Sequence, residues 1–220
     1  MSDEENFLVG VPNPMFDSEY LKLRTNSSRS FWTSYNKDPG YKLLKLHDRN
    51  KVYGSAMITR FYLGFEDKSR VGEYVQKLRK LWDNREILIV EGEKTRIGVG
   101  NDLLANAKSI ERILCPARNA FKVYDKIYQE VLKHDKNKLV LISLGQTATV
   151  LAYDLYKEGY QAIDFGHGDI EYEWYLRNAT IEIRIDNKFV NEVRKGKGRV
   201  NIEDEKDENY LNQIVAKILR

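Results

Sequence analysis

Between residues 85 and 165 the chain alternates short aliphatic runs with amphipathic segments. Glu86-Ile-Leu-Ile-Val90, Ile110 to Leu114, Leu139 to Leu144 and Ala162 to Phe165 are rich in aliphatic residues. Each stops at a loop former: Glu91-Gly92, Pro116, Gly145 and Gly166. Apolarity sustained over so few residues predicts strands buried on both faces, as in a parallel sheet. Phe121 to Lys133 places Phe121, Tyr124, Ile127, Tyr128 and Val131 at helical spacing. Gln146 to Lys157 does the same with Val150, Leu151, Leu155 and Tyr156, and both are predicted crossover helices. Val71 to Trp82, with Val75, Leu78, Leu81 and Trp82 on one stripe, adds a helix before the first of these strands. The pattern predicts an α/β protein with a mostly parallel sheet flanked by helices.

Outside that core the pattern weakens. In the first 65 residues aromatic residues and lysines are interspersed without a sustained period, and Phe7 to Val11 and Ser55 to Arg60 are the predicted strands. Beyond the core, Ile181 to Ile185 alternates like a half-buried strand. Lys195-Gly-Lys-Gly-Arg199 forms a basic, solvated hairpin turn, with phosphate or partner contact as the alternative, and Glu208 to Leu219 is a closing helix. The expected organisation is one domain over 1–220, with an N-terminal part to 65, a core over 66–178, and a C-terminal strand, basic loop and helix over 179–220.

Composition narrows the function classes. In 220 residues, 36 Lys and Arg face 33 Asp and Glu, a net charge of +3, so no bulk field attracts nucleic acid. Arg29 to Lys51 mixes basic and aromatic residues, but a solvated surface explains it, and no nucleic-acid partner is expected. One cysteine and three histidines exclude a disulfide framework and a structural zinc site. Cys115 is read as a small buried hydrophobe. No apolar run approaches the ~20 residues needed to cross a bilayer, and the acidic start MSDEEN is unlike a secretory signal. A cytoplasmic location is expected.

Ligands of open α/β sheets bind beyond the carboxyl ends of the strands, which singles out four loops. The run Glu91-Gly-Glu-Lys-Thr-Arg-Ile-Gly-Val-Gly-Asn-Asp102 carries three glycines. Gly98 and Gly100 let backbone approach a phosphate, and Arg96 can add a bidentate contact. Glu91 and Asp102 suit ribose or sugar hydroxyls; equally, Asn101-Asp102 can do no more than cap a helix. Neither a dinucleotide fingerprint nor a P-loop is present, because Leu103 stands where the third glycine of the fingerprint would be. In Leu144-Gly145-Gln-Thr147-Ala-Thr149 a helix N-terminus with Thr147 suits a diphosphate, and a plain cap explains it as well. Ser143 lacks the surroundings of a nucleophile elbow.

Phe165-Gly-His167-Gly-Asp169-Ile-Glu171-Tyr-Glu173-Trp174 is the densest cluster. If extended, Asp169 and Glu171 project alike and can share Mg²⁺ or Mn²⁺ with diphosphate oxygens. If helical, they diverge and Asp169 becomes a cap. His167, between glycines, suits ligand contact or proton transfer. The fourth loop, Leu114-Cys-Pro-Ala-Arg118-Asn119, puts an arginine and an asparagine at another strand end.

Together, Ile89 to Leu103, Ile113 to Phe121, Leu144 to Asp154 and Gly159 to Trp174 resemble the bacterial GT-D-fold glycosyltransferase family, long catalogued as a domain of unknown function. The likeness runs from about Phe31, through Tyr53-Gly-Ser-Ala-Met-Ile-Thr-Arg60, to about Val193. It implies a single Rossmann-like α/β domain that transfers a hexose, typically glucose from UDP-glucose, to a glycan on a surface glycoprotein or polysaccharide. Core packing is the favoured role of Phe31, Trp32, Tyr35 and Tyr41, with stacking on acceptor sugars the alternative. The family's metal-associated D-x-E motif fits Asp169-Ile-Glu171, with Glu91, Arg96, Asn101 and Asp102 in the nucleotide-sugar loop and Glu173 or His167 as base. The implied cofactor is a divalent cation, Mn²⁺ or Mg²⁺. Implied partners are the nucleotide-sugar donor, a glycan or glycoprotein acceptor, and other glycosyltransferases or a second copy of the chain. Fuller family members open with a Phe-Gly-Asp-Gly-Glu segment that this chain begins downstream of. The alternative is therefore a noncatalytic nucleotide-sugar-binding partner or an impaired transferase.

Overall fold

The centre of the molecule is a parallel sheet, and its strands follow the aliphatic runs closely. A computed structural model describes residues 6–48, 50–190, 193 and 202–219. Two short strands, β1 (Gly10–Val11) and β2 (Gly54–Ser55), pair in parallel. Between them lie α1 (Ser18–Lys22), α2 (Asn26–Tyr35) and α3 (Tyr41–Leu44). The core continues with α4 (Val71–Arg79), β3 (Glu86–Gly92), β4 (Ser109–Cys115), α5 (Tyr124–Val131), β5 (Leu139–Ser143), α6 (Gln146–Lys157), β6 (Gln161–Asp164) and α7 (Gly168–Leu176). The chain ends in α8 (Glu208–Gln213) and β7 (Ile214–Lys217).

The five-stranded sheet has the order β6-β5-β3-β4-β7, parallel at every pairing. From β3 the chain steps to β4 on one side, then crosses back to β5 on the other. The carboxyl ends of β3 and β5 therefore flank the crevice where the winding reverses.

Strand alternation divides the core between the two faces. Ile87, Ile89, Leu139 and Leu141 pack on one face with Trp82, Phe165 and Trp174, while Leu88, Val90, Val140 and Ile142 pack on the other with Ile127, Leu151 and Leu155. A strand buried on both faces needs no polar positions, and that accounts for the unbroken aliphatic runs. Burying each such side chain contributes roughly 1.5–3 kcal/mol.

The structure departs from the sequence pattern at the periphery. Of the strands expected over 7–11 and 55–60, only Gly10–Val11 and, with Gly54 before it, Ser55 are paired; beyond Ser55 the chain turns. Residues 181–185 join no sheet. Their alternation arises because Ile183 and Ile185 pack against the core, and the Ile183 carbonyl accepts from Trp174 Nε1 at 2.9 Å. The closing helix stops at Gln213, and Ile214–Lys217 becomes an edge strand on β4. The free edge of β4 and the β-branched pair Ile214-Val215 outweigh the helical spacing. The basic loop Lys195 to Arg199 lies outside the described residues.

Trp82, fully buried, donates from Nε1 to the Leu103 carbonyl at 3.1 Å and meets Phe165 edge-on. Trp82→Ala is expected to lower unfolding free energy by about 3–5 kcal/mol, read from urea titration. A loss under about 1 kcal/mol would show that the packing around Trp82 does not anchor this face.

Candidate active site

Four strand ends open onto one cavity of about 680 Å³. Gly92 ends β3 and Thr95 follows it, Pro116 to Phe121 follow β4, Ser143 ends β5 with Leu144 to Thr147 after it, and Gly166, His167 and Ile170 follow β6; Phe189 closes one side. Gly145 begins α6 at φ +56°, ψ −138°, with no side chain capping the first turn. A residue with a Cβ is strained at that φ. The uncapped turn presents the helix's positive end to the cavity. Across the cavity, Ser143 Oγ donates to the Gly166 carbonyl at 2.9 Å and ties the β5 and β6 loops together.

Of the residues expected to bind donor, Gly145 and Thr147 line this cavity, and so does His167. The remainder build the wall behind it. Glu91 is wholly buried: its Oε1 accepts from Arg112 Nη1 at 2.7 Å and its Oε2 from the Ile97 N–H at 2.8 Å. Arg96, at φ +56°, turns beneath the loop, donating to the carbonyls of Asn187 (2.7 Å) and Glu203 (2.6 Å) and pairing with Glu205 at 3.3 Å. It grips the C-terminal segment, which leaves no phosphate contact for it. Gly98 and Gly100 adopt φ +74° and +76° to make the turn. Asp102 accepts from the Tyr172 hydroxyl at 2.5 Å and from Arg79 at 3.1 Å.

The D-x-E pair lies on a helix, and that settles its geometry. Residues two apart on a helix point to different sides. Asp169 Oδ1 accepts from the Gly98 N–H (2.8 Å) and Asn101 Nδ2 (2.9 Å), and its Oδ2 from Lys188 Nζ (2.7 Å). Glu171 Oε2 accepts from the N–H groups of Tyr62 and Leu63, both at 2.9 Å. The two carboxylates pin different segments, so they do not fit a shared Mg²⁺ or Mn²⁺. Among the described residues no group of three His, Cys, Asp or Glu side chains converges as a metal cage.

The true partner of Asp169 is Glu173, one turn on, and both face Lys188. Glu173 Oε1 accepts from Lys188 Nζ at 2.8 Å and Asn101 Nδ2 at 2.6 Å, and Arg177 closes on Oε2. Burial alone raises the Glu173 carboxyl, but Lys188, Asn101 and Arg177 outweigh it and hold it below the ordinary value. Glu173 is thus held ionised in the wall, away from the base role expected of it. Burial pushes the Cys115 thiol up to about 12, with Glu91 adding to the effect, which fits a packing role.

Asp164, the last residue of β6, lies beside Gly166, which lines the cavity. Its Oδ2 accepts from Thr149 Oγ1 at 2.9 Å, and its Oδ1 lies 3.8 Å from where a Cβ on Gly166 would stand. The side chain opens to solvent on one side. Desolvation by its surroundings still raises its pKa, opposed by Thr149 and the Gly166 N–H. The strand-end rule that selected the four loops applies to Asp164 as well. Phe189 carries no such signal: it reaches the cavity because its N–H donates to the Lys94 carbonyl at 2.8 Å.

Comparison with known proteins agrees with this architecture. The family model described as glycosyltransferase GT-D fold matches residues 1–193. The chain is 46% identical over 198 residues to a probable glycosyl transferase Gly of Streptococcus gordonii, covering 90% of this chain and 28% of that protein. It is 44% identical over 167 residues to glycosyltransferase GlyD of Streptococcus pneumoniae serotype 4, covering 76% and 20%. The chain therefore spans well under a third of each curated relative. A solved structure described as domain of unknown function 1792 with a distinct glycosyltransferase fold aligns at TM-score 0.90 and 41% identity, over 99% of this chain and 76% of that one. Another, described as a new glycosyltransferase from Streptococcus sanguinis, aligns at TM-score 0.90 and 39% identity, over 99% and 79%.

Lys188→Met leaves Asp169 and Glu173 buried without their common cation and is expected to cost about 3–5 kcal/mol of stability in urea titration. The acid limb tests the same network. A carboxyl depressed by folding contributes stability above its unfolded pKa and loses it as pH falls through the folded value. Wild-type stability should therefore fall with acidification below the ordinary carboxylate range, and the Lys188→Met profile should be flatter there. Parallel profiles would remove Lys188 as the partner.

Proposed function

This chain belongs to the GT-D-fold glycosyltransferase family, and on that premise we propose that it transfers a sugar from a nucleotide-sugar donor to a hydroxyl of a glycan or glycoprotein acceptor. The observation that carries this reading is the cavity at the winding-reversal crevice, with the uncapped α6 N-terminus on its wall. A diphosphate suits that helix end and Arg118, whose guanidinium can meet two oxygens at once. Phe121 and Phe189 offer apolar rings to a nucleobase. UDP-glucose is the donor to try first.

In the transfer, the acceptor oxygen bonds to the anomeric carbon as the bond from that carbon to the diphosphate oxygen breaks. The nucleoside diphosphate leaves with the bonding pair, and its charge is met by the α6 N-terminus and Arg118. The acceptor's hydroxyl proton passes to the Asp164 carboxylate, a base made stronger by its raised pKa. His167 lines the same cavity and is the second candidate for moving that proton. Asp169 and Glu171 face different segments, so no step is routed through a cation held between them.

The test is calorimetric titration of UDP and UDP-glucose, with and without Mn²⁺, followed by a donor-hydrolysis assay on the same samples. UDP is expected to bind, with turnover, whether or not Mn²⁺ is present. Arg118→Ala should weaken UDP about tenfold. Asp164→Asn should lower kcat about 10²- to 10⁴-fold at unchanged UDP affinity. Because the Asp164 pKa is raised, the rising limb of kcat/KM should lie above the ordinary carboxylate range and vanish in the asparagine variant. Binding without turnover would instead assign a noncatalytic nucleotide-sugar partner, and turnover strictly dependent on Mn²⁺ would return the reaction to metal assistance.

A further inference from the structure

A second cavity, of about 530 Å³, lies on the far side of the segment that follows β2. Its walls are aromatic: Phe61 and Tyr74 lie tilted with centroids 5.4 Å apart, and Tyr20 meets Phe65 edge-on at 5.7 Å. Tyr74 is fixed by its hydroxyl, which donates to the Ile58 carbonyl at 2.6 Å. The rim carries Asp67 and Glu73 against Arg70 and Lys77, so it has hydrogen-bonding groups of both signs and no net charge.

The two cavities are neighbours. Met57 and Ile58 line the aromatic groove, and the next residue, Thr59, holds its Oγ1 3.6 Å from where a Cβ on Gly166 would stand. Gly166 lines the donor cavity, and the Asp164 carboxylate lies beside it, 3.8 Å from that same point. The wall between groove and cavity is thus the chain at residues 57–59, with the proposed base at its edge.

We propose that this groove is the acceptor subsite and that it takes a neutral sugar. A pyranose has an apolar C–H face that lies flat on an aromatic ring, and an equatorial fringe of hydroxyls that carboxylates and guanidinium groups bind two at a time. The groove has both an aromatic lining and charged groups at its rim. A phosphorylated or strongly acidic ligand would need a net positive rim, which Asp67 and Glu73 cancel. A purely apolar ligand would gain nothing from four charged side chains round the mouth. The assignment rests on the donor reading of the first cavity, because an acceptor must lie within reach of the sugar being transferred.

Methyl-resolved NMR on the isotope-labelled chain separates the two readings. Met57 and Ile58 report on the groove, Val150 and Ile170 on the donor cavity. The probes are UDP and three neutral disaccharides: cellobiose, lactose and N,N′-diacetylchitobiose. At least one disaccharide is expected to shift the Met57 and Ile58 methyls saturably while leaving Val150 and Ile170 in place, and UDP to do the reverse. The double variant Asp67→Ala, Lys77→Ala, confined to exposed rim side chains, should bind that disaccharide about fivefold more weakly or worse, at unchanged UDP affinity. Silence of Met57 and Ile58 with all three disaccharides, or wild-type disaccharide affinity in the double variant, overturns the proposal. Disaccharide shifts in the groove with no UDP response at Val150 and Ile170 remove the donor reading and the acceptor assignment with it, leaving only a sugar-binding groove.

Discussion

Lys188 is the cation on which the wall of the site depends. Its ammonium is buried between Asp169 and Glu173, and Asn101 donates to the same two carboxylates. Buried ions are costly unless each is paired and its remaining lone pairs are met. Here the Gly98 N–H and Arg177 complete the set. One helical turn of α7 thereby clamps the glycine-rich loop on one side and residues 187–190 on the other. On its other side, Glu171 holds the N–H groups of Tyr62 and Leu63. The helix is a two-sided staple between the parallel core and the N-terminal segment that leads to the aromatic groove.

A second buried pair continues the wall into the sheet. Arg112, on β4, donates to Glu91 of β3, to the Ile97 carbonyl of the loop and to Gln213 of α8, and its guanidinium lies 4.9 Å from the Tyr210 ring centroid. Arg96 and Lys94 then tie the loop to the C-terminal segment through carbonyls at 187, 202 and 203. Lys94 and Arg96 thus hold the loop after β3 in place. No carboxylate is among the described residues lining the main cavity, where the helix N-terminus, Arg118 and His167 supply polarity suited to an anion.

Most of the core was legible in the chain because a strand buried on both faces leaves a local mark. Ile87 to Val90 and Leu139 to Ile142 send alternate side chains to opposite cores, so every position is apolar and the run stands out. The crossover helix over Gln146–Lys157 begins and ends where the pattern puts it. The family was legible too, since several loops at strand ends carry unusual residues in a fixed order. The ends of the chain were not: Ile214–Lys217 has a helix-compatible spacing, and only the vacant edge of β4 makes it a strand.

The sequence by itself determined the strand ends, and with them the loops that open onto the first cavity; Gly145, Thr147 and His167 line it, and Asp164 stands at such an end as well. What a charged residue at such an end does was decided by tertiary structure. Asp169, Glu171, Glu91 and Arg96 stand in loops that invite a ligand, yet their partners are Lys188, two backbone amides 108 and 109 residues away, Arg112 and the carbonyls of Asn187 and Glu203. The physical reason is range. Hydrophobic period and turn chemistry act over a few residues and are written locally, whereas the partner of a buried charge is set by which distant segments the fold brings within hydrogen-bond distance.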